Sequence, residues 1–188
     1  MKEGPVNRMP ENRRVRMTKS MMKEALLELL EKKPLDKITV KDICESADVN
    51  RSTFYSYYES IEQLLLEIED DALNQLPMYP DSPEDYSNER FLSALEDFFD
   101  YVRENERLFR ILIVQRDSSS FNNRLVNTVM EKYRSPMKAG DGLIARYAYV
   151  YCVSGVIGIL KEWLNGNFPI STRAFAQTVL QMSVKATS

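Results

Sequence analysis

The side chains best suited to recognise another molecule are concentrated in one short segment, from Asn50 to Tyr57. Apart from Phe54, every residue in it carries an amide, guanidinium or hydroxyl group. Such groups form hydrogen bonds with phosphate oxygens and with base edges in the major groove of DNA. The segment is therefore a candidate DNA-reading surface, and its polar members are Asn50, Arg51, Ser52, Thr53, Tyr55, Ser56 and Tyr57.

Residue patterns for catalysis or metal binding are scarce. The chain has no His, which removes the commonest general base and the commonest metal ligand. Its two cysteines, Cys44 and Cys152, are far apart, so neither a zinc site nor a disulfide is indicated. Both are interpreted as core residues, with a redox switch as the alternative. We expect no catalytic residue, metal or cofactor, and an enzyme is only the third interpretation of this chain.

Two predicted helices precede the candidate surface. Apolar residues recurring every three or four positions predict a helix from about Thr18 to Lys32, which Pro34 ends. Thr39 and Asp42 then form a capping-box pattern that begins a second, short helix. Thr39 and Lys41 lie at the start of that helix, where backbone amides and the helix dipole favour a phosphate.

A turn and a third helix complete a helix-turn-helix. Residues 48–50 (DVN) predict a tight turn, because Asp and Asn tolerate left-handed backbone angles. A short helix follows from about Arg51 to Tyr57, with Phe54 and Tyr58 on its inward face. In a helix-turn-helix, the second of the two short helices can enter the major groove of DNA.

The rest of the chain is also predicted to be helical. A long helix runs from about Ser60 to Leu76, and a loop with three prolines at residues 77–87 is interpreted as the domain boundary. Two further loops are predicted at residues 116–120 and 134–142. Helices are predicted over residues 91–102, 108–114, 122–133, 143–164 and 171–183. The fold class is therefore all-α, with about nine helices.

Charge is unevenly distributed along the chain. Residues 1–57 carry a net charge of +3 and the remaining residues carry −6, as is typical of a DNA-contacting module joined to a different domain. The basic residues near the N-terminus are interpreted as a solvated tail, with a phosphate or minor-groove contact as the alternative. They are Arg8, Arg13, Arg14, Arg16 and Lys19.

Neither a targeting signal nor a membrane span is indicated. Residues 1–17 are polar and basic, without the apolar segment of a secretory signal. The longest apolar stretch, Tyr147 to Leu160, has fourteen residues, fewer than the roughly 20 that a membrane span needs. We therefore expect a cytoplasmic protein with no membrane partner.

Residues 17–65 resemble the N-terminal DNA-binding domain of TetR-type transcriptional regulators. The similarity is clearest in VNRSTFYSYY, from Val49 to Tyr58, and in the following pair Leu64-Leu65. The stretch GVIGILKEWLNGNFP, from Gly155 to Pro169, is similar to the ligand-binding and dimerisation domain of a subgroup common in Firmicutes. The implied organisation is a flexible basic tail (1–17), a helix-turn-helix DNA-binding domain (18–59), a connecting helix (60–76) and a helical regulatory and dimerisation domain (77–188).

The resemblance implies a homodimeric repressor that binds a palindromic operator in double-stranded DNA under the control of a small-molecule effector. The dimer would form through the helices at 143–164 and 171–183, and the effector would bind among the helices between Phe91 and Tyr133. No ligand-binding residue is assigned, because the aromatic side chains of this half could equally form core or interface. They are Phe98, Phe99, Tyr101, Phe109, Tyr133, Tyr147, Tyr149, Tyr151 and Trp163.

Site roles follow from the same resemblance. Phosphate contacts are assigned to Thr39 and Lys41, and base contacts to Arg51 and Ser52. The predicted DNA-binding set as a whole is Thr39, Lys41, Asn50, Arg51, Ser52, Thr53, Tyr55, Ser56 and Tyr57.

Two residues depart from the family pattern. Asp48 stands where the family usually has Gly in the turn, and Ile61 stands where it commonly has a phosphate-binding Lys. Without that Lys, the slope of log DNA affinity against log salt concentration should be shallower by about one unit per subunit. The alternative function is therefore a TetR-like adaptor or coactivator that acts mainly through a protein partner.

Overall fold

A computed structural model describes residues 13–77, 88–132 and 143–187. These residues form nine α-helices and no strand, which confirms the all-α prediction. The helices are α1 (Arg13–Leu30), α2 (Val40–Ser46), α3 (Arg51–Tyr55), α4 (Ile61–Asn74), α5 (Asn88–Glu104), α6 (Glu106–Phe109), α7 (Ser119–Lys132), α8 (Leu143–Asn165) and α9 (Thr172–Thr187). The predicted loop at 134–142, nearly all of the loop at 77–87 and most of the predicted tail lie outside the described residues.

The chain divides into two compact units between Ile68 and Glu69, within α4. In the first unit, α1 packs on α2 and α2 packs on α3. Phe54 and Tyr58 are buried, as predicted for the inward face of the third helix, and Cys44 is a buried core residue as expected. The fully buried side chains of Met22, Leu26, Ile43 and Leu64 complete this small core.

α1 begins five residues earlier than the sequence analysis predicted, at Arg13 instead of Thr18. The prediction rests on the apolar stripe, and from Arg13 to Met21 no side chain is buried. Arg and Met favour the helix even where nothing packs against them, so the helix extends beyond its buried part.

In the second unit, α5 packs mainly against α9. The Trp163 ring stacks on Phe175, with centroids 4.5 Å apart, and meets Phe99 at an angle of 68°. All three are buried, so these aromatic residues form core. The Trp163 indole N–H donates to the carbonyl of Ile170 at 3.1 Å and fixes the turn between α8 and α9.

A π-helix at Arg110–Gln115 follows α6 directly and replaces most of the α-helix predicted over 108–114. Its residues Ile111, Leu112 and Ile113 are buried. π-Helices are rare and have no sequence signal comparable to an apolar stripe, so the pattern predicted a helix but not its type. Among the described helices, none is both long and apolar enough to cross a membrane.

Candidate nucleic-acid interface

Thr39 caps α2 as the sequence predicted. Its Oγ1 accepts the backbone N–H of Asp42 at 3.2 Å, and Oδ2 of Asp42 accepts the backbone N–H of Thr39 at 2.8 Å. Lys33 Nζ donates to the same carboxylate at 2.8 Å. The bond from Lys33, followed by those from Thr39, lowers the pKa of Asp42 to about 2. The carboxylate therefore stays charged near neutral pH and holds the start of α2 in place.

The two predicted phosphate-binding side chains both face solvent. Thr39 accepts the Asp42 N–H through its hydroxyl oxygen, and its side chain also interacts with the Asp42 carboxylate, so a phosphate would compete with that carboxylate for the hydroxyl hydrogen. Lys41 is exposed and lies 3.6 Å from Glu45, one helical turn further along α2. Such an exposed pair contributes little stability, so a phosphate can compete for the lysine.

Asp48 makes the turn between α2 and α3 with a φ of 51°. This left-handed conformation is the one that the sequence predicted for residues 48–50. The Val49 N–H donates to the carbonyl of Cys44 at 3.0 Å and closes the turn. Asp therefore takes the place of the usual Gly, at the steric cost that a side chain adds to this conformation.

Asn50 is the N-cap of α3, a role that the sequence analysis did not assign. Its Oδ1 accepts from the Thr53 N–H at 2.7 Å, from the Ser52 hydroxyl at 2.6 Å and from the Thr53 hydroxyl at 2.9 Å. Ser56 Oγ donates to the carbonyl of Thr53 at 2.7 Å. These four polar side chains are therefore engaged in hydrogen bonds that stabilise α3 itself. The missed signal was an Asn immediately before the helix.

Arg51 and Tyr55 lie one turn apart on α3 and are both exposed. Tyr55 exposes 58% of its surface, while its ring meets the buried Phe54 ring edge to face at 5.5 Å. Within the part of the chain that the structure describes, no carboxylate pairs with Arg51. Its guanidinium is thus available for bidentate hydrogen bonding. Tyr57 is half-buried and lies just beyond α3.

The residues of α2, the turn and α3 surround an open depression of about 520 Å³. Lys41 and Arg51 supply its positive groups, and Glu45 and Asp48 supply its negative ones. The Cys44 thiol also lines the depression. Its pKa is raised, mainly by burial, so the thiol stays protonated and is unreactive. Among the described residues, no cluster of His, Cys, Asp or Glu side chains could hold a metal ion. The depression therefore offers hydrogen-bonding and charged groups to a bound molecule.

Both parts of the chain match known families. Residues 24–68 match the family described as "Bacterial regulatory proteins, tetR family", and residues 89–185, about half of the chain, match "Transcriptional regulator C-terminal region". The chain belongs to the TetR family of transcriptional regulators. The family resemblance stated for the sequence is thereby confirmed.

Individual TetR-family proteins are similar to this chain. The HTH-type transcriptional regulator EthR of Mycobacterium tuberculosis is 31% identical over 110 residues, 56% of this chain and 51% of EthR. The chain thus spans about half the length of this curated relative. A TetR transcriptional regulator from Streptococcus agalactiae 2603V has the same fold, with a TM-score of 0.71 and 24% identity over 91% of this chain and 96% of that one. The dihydroxyacetone kinase operon activator DhaS aligns with a TM-score of 0.57 and 18% identity over 89% and 94% of the two chains.

A second exposed surface of this TetR-family chain runs along α8. Tyr147 and Tyr151 expose 63% and 70% of their surface. With other exposed residues at helical spacing they form a continuous stripe on one face of the helix. No atom lies within 4 Å of the position that a Cβ would occupy at Gly155 or Gly158. This α8 stripe, as we name it, consists of Leu143, Tyr147, Val150, Tyr151, Ser154, Gly155 and Gly158.

α4 carries ion pairs in each of the two units. In the first unit, Glu67 pairs with Lys23 at 2.6 Å and with Lys19 at 3.3 Å. In the second unit, the nearly buried Glu69 pairs with Arg116 at 2.7 Å and with Arg124 at 2.9 Å. Arg124 also pairs with Asp70, the next residue of α4.

Proposed function

We propose that this protein is a cytoplasmic TetR-family repressor that binds a palindromic operator as a homodimer and is controlled by an effector bound in its C-terminal domain. The proposal keeps the predicted organisation, with a basic segment at 1–17 whose residues 13–17 form the start of α1, DNA-binding helices at 18–59, a connecting helix at 60–76 and a regulatory domain at 77–188. The observation that carries it is the capped helix α3, which presents Arg51 and Tyr55 to solvent on one face.

The DNA contacts divide into two kinds. Thr39 and Lys41, at the start of α2, would bind phosphates and set the position of α3. Arg51 would read a guanine bidentately, which is worth about 1–3 kcal/mol per half-site, and Tyr55 would contact the neighbouring base or phosphate. Ser52, Thr53 and Ser56 keep acceptor oxygens for DNA even though their hydroxyl hydrogens are used within the helix.

The α8 stripe supports a dimer whose partner is a second copy of this chain. Soluble proteins seldom leave a helix face of large apolar side chains uncovered. Next to the exposed Ser154, Gly155 and Gly158 leave open space where the backbone of another helix could approach closely. With α9, the stripe would form a two-fold interface, which would place two α3 helices on half-sites about 34–36 Å apart.

Effector control would act through α4, because this helix continues from one compact unit into the other. An effector that favours one arrangement of the second unit would bias α4 and hence the DNA affinity, as a shift between populations. The effector would be a small molecule bound among the helices between Phe91 and Tyr133. Fixing α4 relative to the second unit should abolish the response to effector while DNA binding persists.

The proposal is tested by titrating the purified protein against its own upstream DNA at two salt concentrations. Arg51→Ala is compared with wild type, and Arg103→Ala on α5 is the matched control. We expect tight, steeply salt-dependent binding to a palindrome that only Arg51→Ala weakens. Guanine substitutions across the operator would then locate the base that Arg51 reads, and unchanged affinity for all of them would contradict that role.

An adaptor or coactivator function is the second candidate. Ile61, the first residue of α4, cannot make the phosphate contact of the Lys commonly found there. Weak binding that ignores both the DNA sequence and Arg51→Ala would favour this candidate, and a protein partner would then be sought with the full-length chain as bait.

A further inference from the structure

The first half of α1 carries a local excess of positive charge within the first unit. From Arg13 to Lys23 there are five Lys or Arg and no Asp or Glu, whereas residues 24–68 contain five Lys or Arg and ten Asp or Glu. The segment that contains α2 and α3 therefore has a net negative charge. Because DNA is attracted chiefly by positive protein charge, α2 and α3 alone account poorly for binding a polyanion.

The start of α1 is a helical extension that covers no core. Arg13, Arg14 and Arg16 are exposed, Met17 exposes 58% of its surface, and Met22 is the first buried side chain of α1. The arginines are therefore placed on a regular helix and face solvent on several sides. Lys19 and Lys23 further along α1 pair with Glu67 of the same unit.

Helix stability does not explain arginines at this position. The N-terminal end of a helix is the positive end of its dipole, so acidic side chains are favoured there, and the first turn of α1 contains none. Arginines in this turn repel the dipole. An external anion would remove that conflict, and phosphate is the anion that a DNA-binding unit meets.

The inner end of the extension, at Lys19, lies beside Tyr58, which follows α3. Lys19 Nζ lies over the ring of Tyr58, 5.6 Å from its centroid, and Tyr58 follows α3 by three residues. Arg13 is six residues before Lys19, about 9 Å along α1 at 1.5 Å per residue. The three arginines thus extend from a point next to the C-terminal end of α3.

We infer that Arg13, Arg14 and Arg16 form a second DNA-contacting surface, which binds backbone phosphates next to the half-site that α3 reads. This inference rests on the proposed function. The start of α1 supplies the sequence-independent attraction to DNA, and Arg51 supplies the discrimination between DNA sequences. The start of α1 also supplies phosphate contacts in place of the one that Ile61 cannot make.

The test measures fluorescence anisotropy of full-length protein with its own upstream duplex and with a scrambled duplex of the same composition, between about 50 and 200 mM salt. The triple variant Arg13→Ala, Arg14→Ala, Arg16→Ala is compared with a control of equal charge loss, Arg90→Ala, Arg103→Ala, Arg107→Ala, at exposed residues of α5 and α6. Ala favours helix, and circular dichroism should show that both variants remain folded.

We expect the slope of log affinity against log salt to fall by about 0.9 for each phosphate that the variant no longer binds, hence by about 2–5 for the dimer. Affinity for both duplexes should fall at least about tenfold at the lower salt, while the preference for the upstream duplex is unchanged. Arg51→Ala should show the opposite pattern, with a lost preference and a nearly unchanged slope.

A triple variant with the slope of its control would overturn the inference, and a wild-type preference for the upstream duplex would then leave the proposed function standing. If wild type shows no preference but the triple variant loses slope, the proposed function fails and the α1 surface is supported. A lost preference with an unchanged slope would mean that the arginines read bases, which contradicts the phosphate assignment. Wild-type protein that binds neither duplex would contradict both.

Discussion

Asn50 and Thr53 are joined by two hydrogen bonds, because Oδ1 of Asn50 accepts both the backbone N–H and the hydroxyl of Thr53, at 2.7 and 2.9 Å. The same oxygen accepts from Ser52. A helix of only five residues has few internal hydrogen bonds, so its conformation depends strongly on this cap. The side chain that fixes the recognition helix is thus separate from the side chain, Arg51, that it presents.

Asn50→Ala should therefore reduce stability and DNA affinity together. Loss of an N-cap costs about 1 kcal/mol, within a range of about 0.5–2 kcal/mol. Urea denaturation would measure the first effect and anisotropy with upstream DNA the second. Asn50→Asp is the control, because Asp caps equally well but adds a negative charge facing phosphate. It should preserve stability and still weaken binding, and equal stability of wild type and Asn50→Ala would show that the cap contributes nothing.

The carboxylate of Asp42 should titrate far below the usual range. Its pKa is lowered to about 2, first by Lys33 and then by Thr39, so the stability that it contributes is present above its ordinary pKa of 3.8 and is lost as pH falls toward 2. The amide resonance of Thr39, followed by NMR, should show a midpoint near 2. In Lys33→Met the midpoint should rise toward 3.8, and a midpoint that Lys33→Met leaves unchanged would mean that Lys33 is not the main cause.

The signals that predicted the first unit correctly were local. The capping box at Thr39, the left-handed residue Asp48 and the inward Phe54 each depend on neighbours within a few positions, so their physical causes can be read from sequence. The pair between Glu69 and Arg116 joins residues 47 positions apart and becomes visible only after folding. The early start of α1 was missed for a different reason, because an exposed helix leaves no apolar stripe.

Disruption of the α8 stripe should convert the protein to a monomer. Tyr151→Glu places a charge in the middle of an apolar face, where a second copy would leave it buried and unpaired. Sedimentation velocity should show half the mass of wild type, with unchanged helix content. Leu66→Glu, at an exposed residue of α4, is the control and should stay dimeric. If the two variants behave alike, the stripe is not the interface.

If α8 helices pack closely at this stripe, a larger side chain at Gly158 should weaken the dimer. Substituting Ala adds a Cβ that meets no atom within 4 Å in the single chain, so the fold should tolerate it. In a dimer with closely packed α8 helices, that Cβ would hold the helices apart. Thermal unfolding at low protein concentration should show Gly158→Ala to be at least as stable as wild type, because Ala is favoured over Gly inside a helix by about 0.5–1 kcal/mol, while the dimer dissociates more readily. Equal dissociation constants would mean that α8 helices do not approach closely at this residue.

The two ends of α4 should differ in how strongly their ion pairs stabilise the fold. Glu67 lies at a partly exposed surface, where such pairs contribute about 0–1 kcal/mol, so Lys23→Met should have little effect on urea denaturation. Glu69 is nearly buried between Arg116 and Arg124, and removing one partner of a buried pair costs about 3–5 kcal/mol. Because both arginines keep some contact with water, we expect Glu69→Gln to cost about 3 kcal/mol, at the lower end of that range.

A double-mutant cycle separates the pair from general disruption. Glu69→Gln and Arg116→Met should each destabilise the protein, and the double variant should lose less than the two single losses together. Hydrogen exchange should likewise show slower exchange in the Glu69 half of α4 than in the Glu67 half. Strict additivity of the two substitutions would show that Glu69 and Arg116 do not stabilise each other. In that case, an effector that moves α4 would not have to break stronger ion pairs in the second unit than in the first.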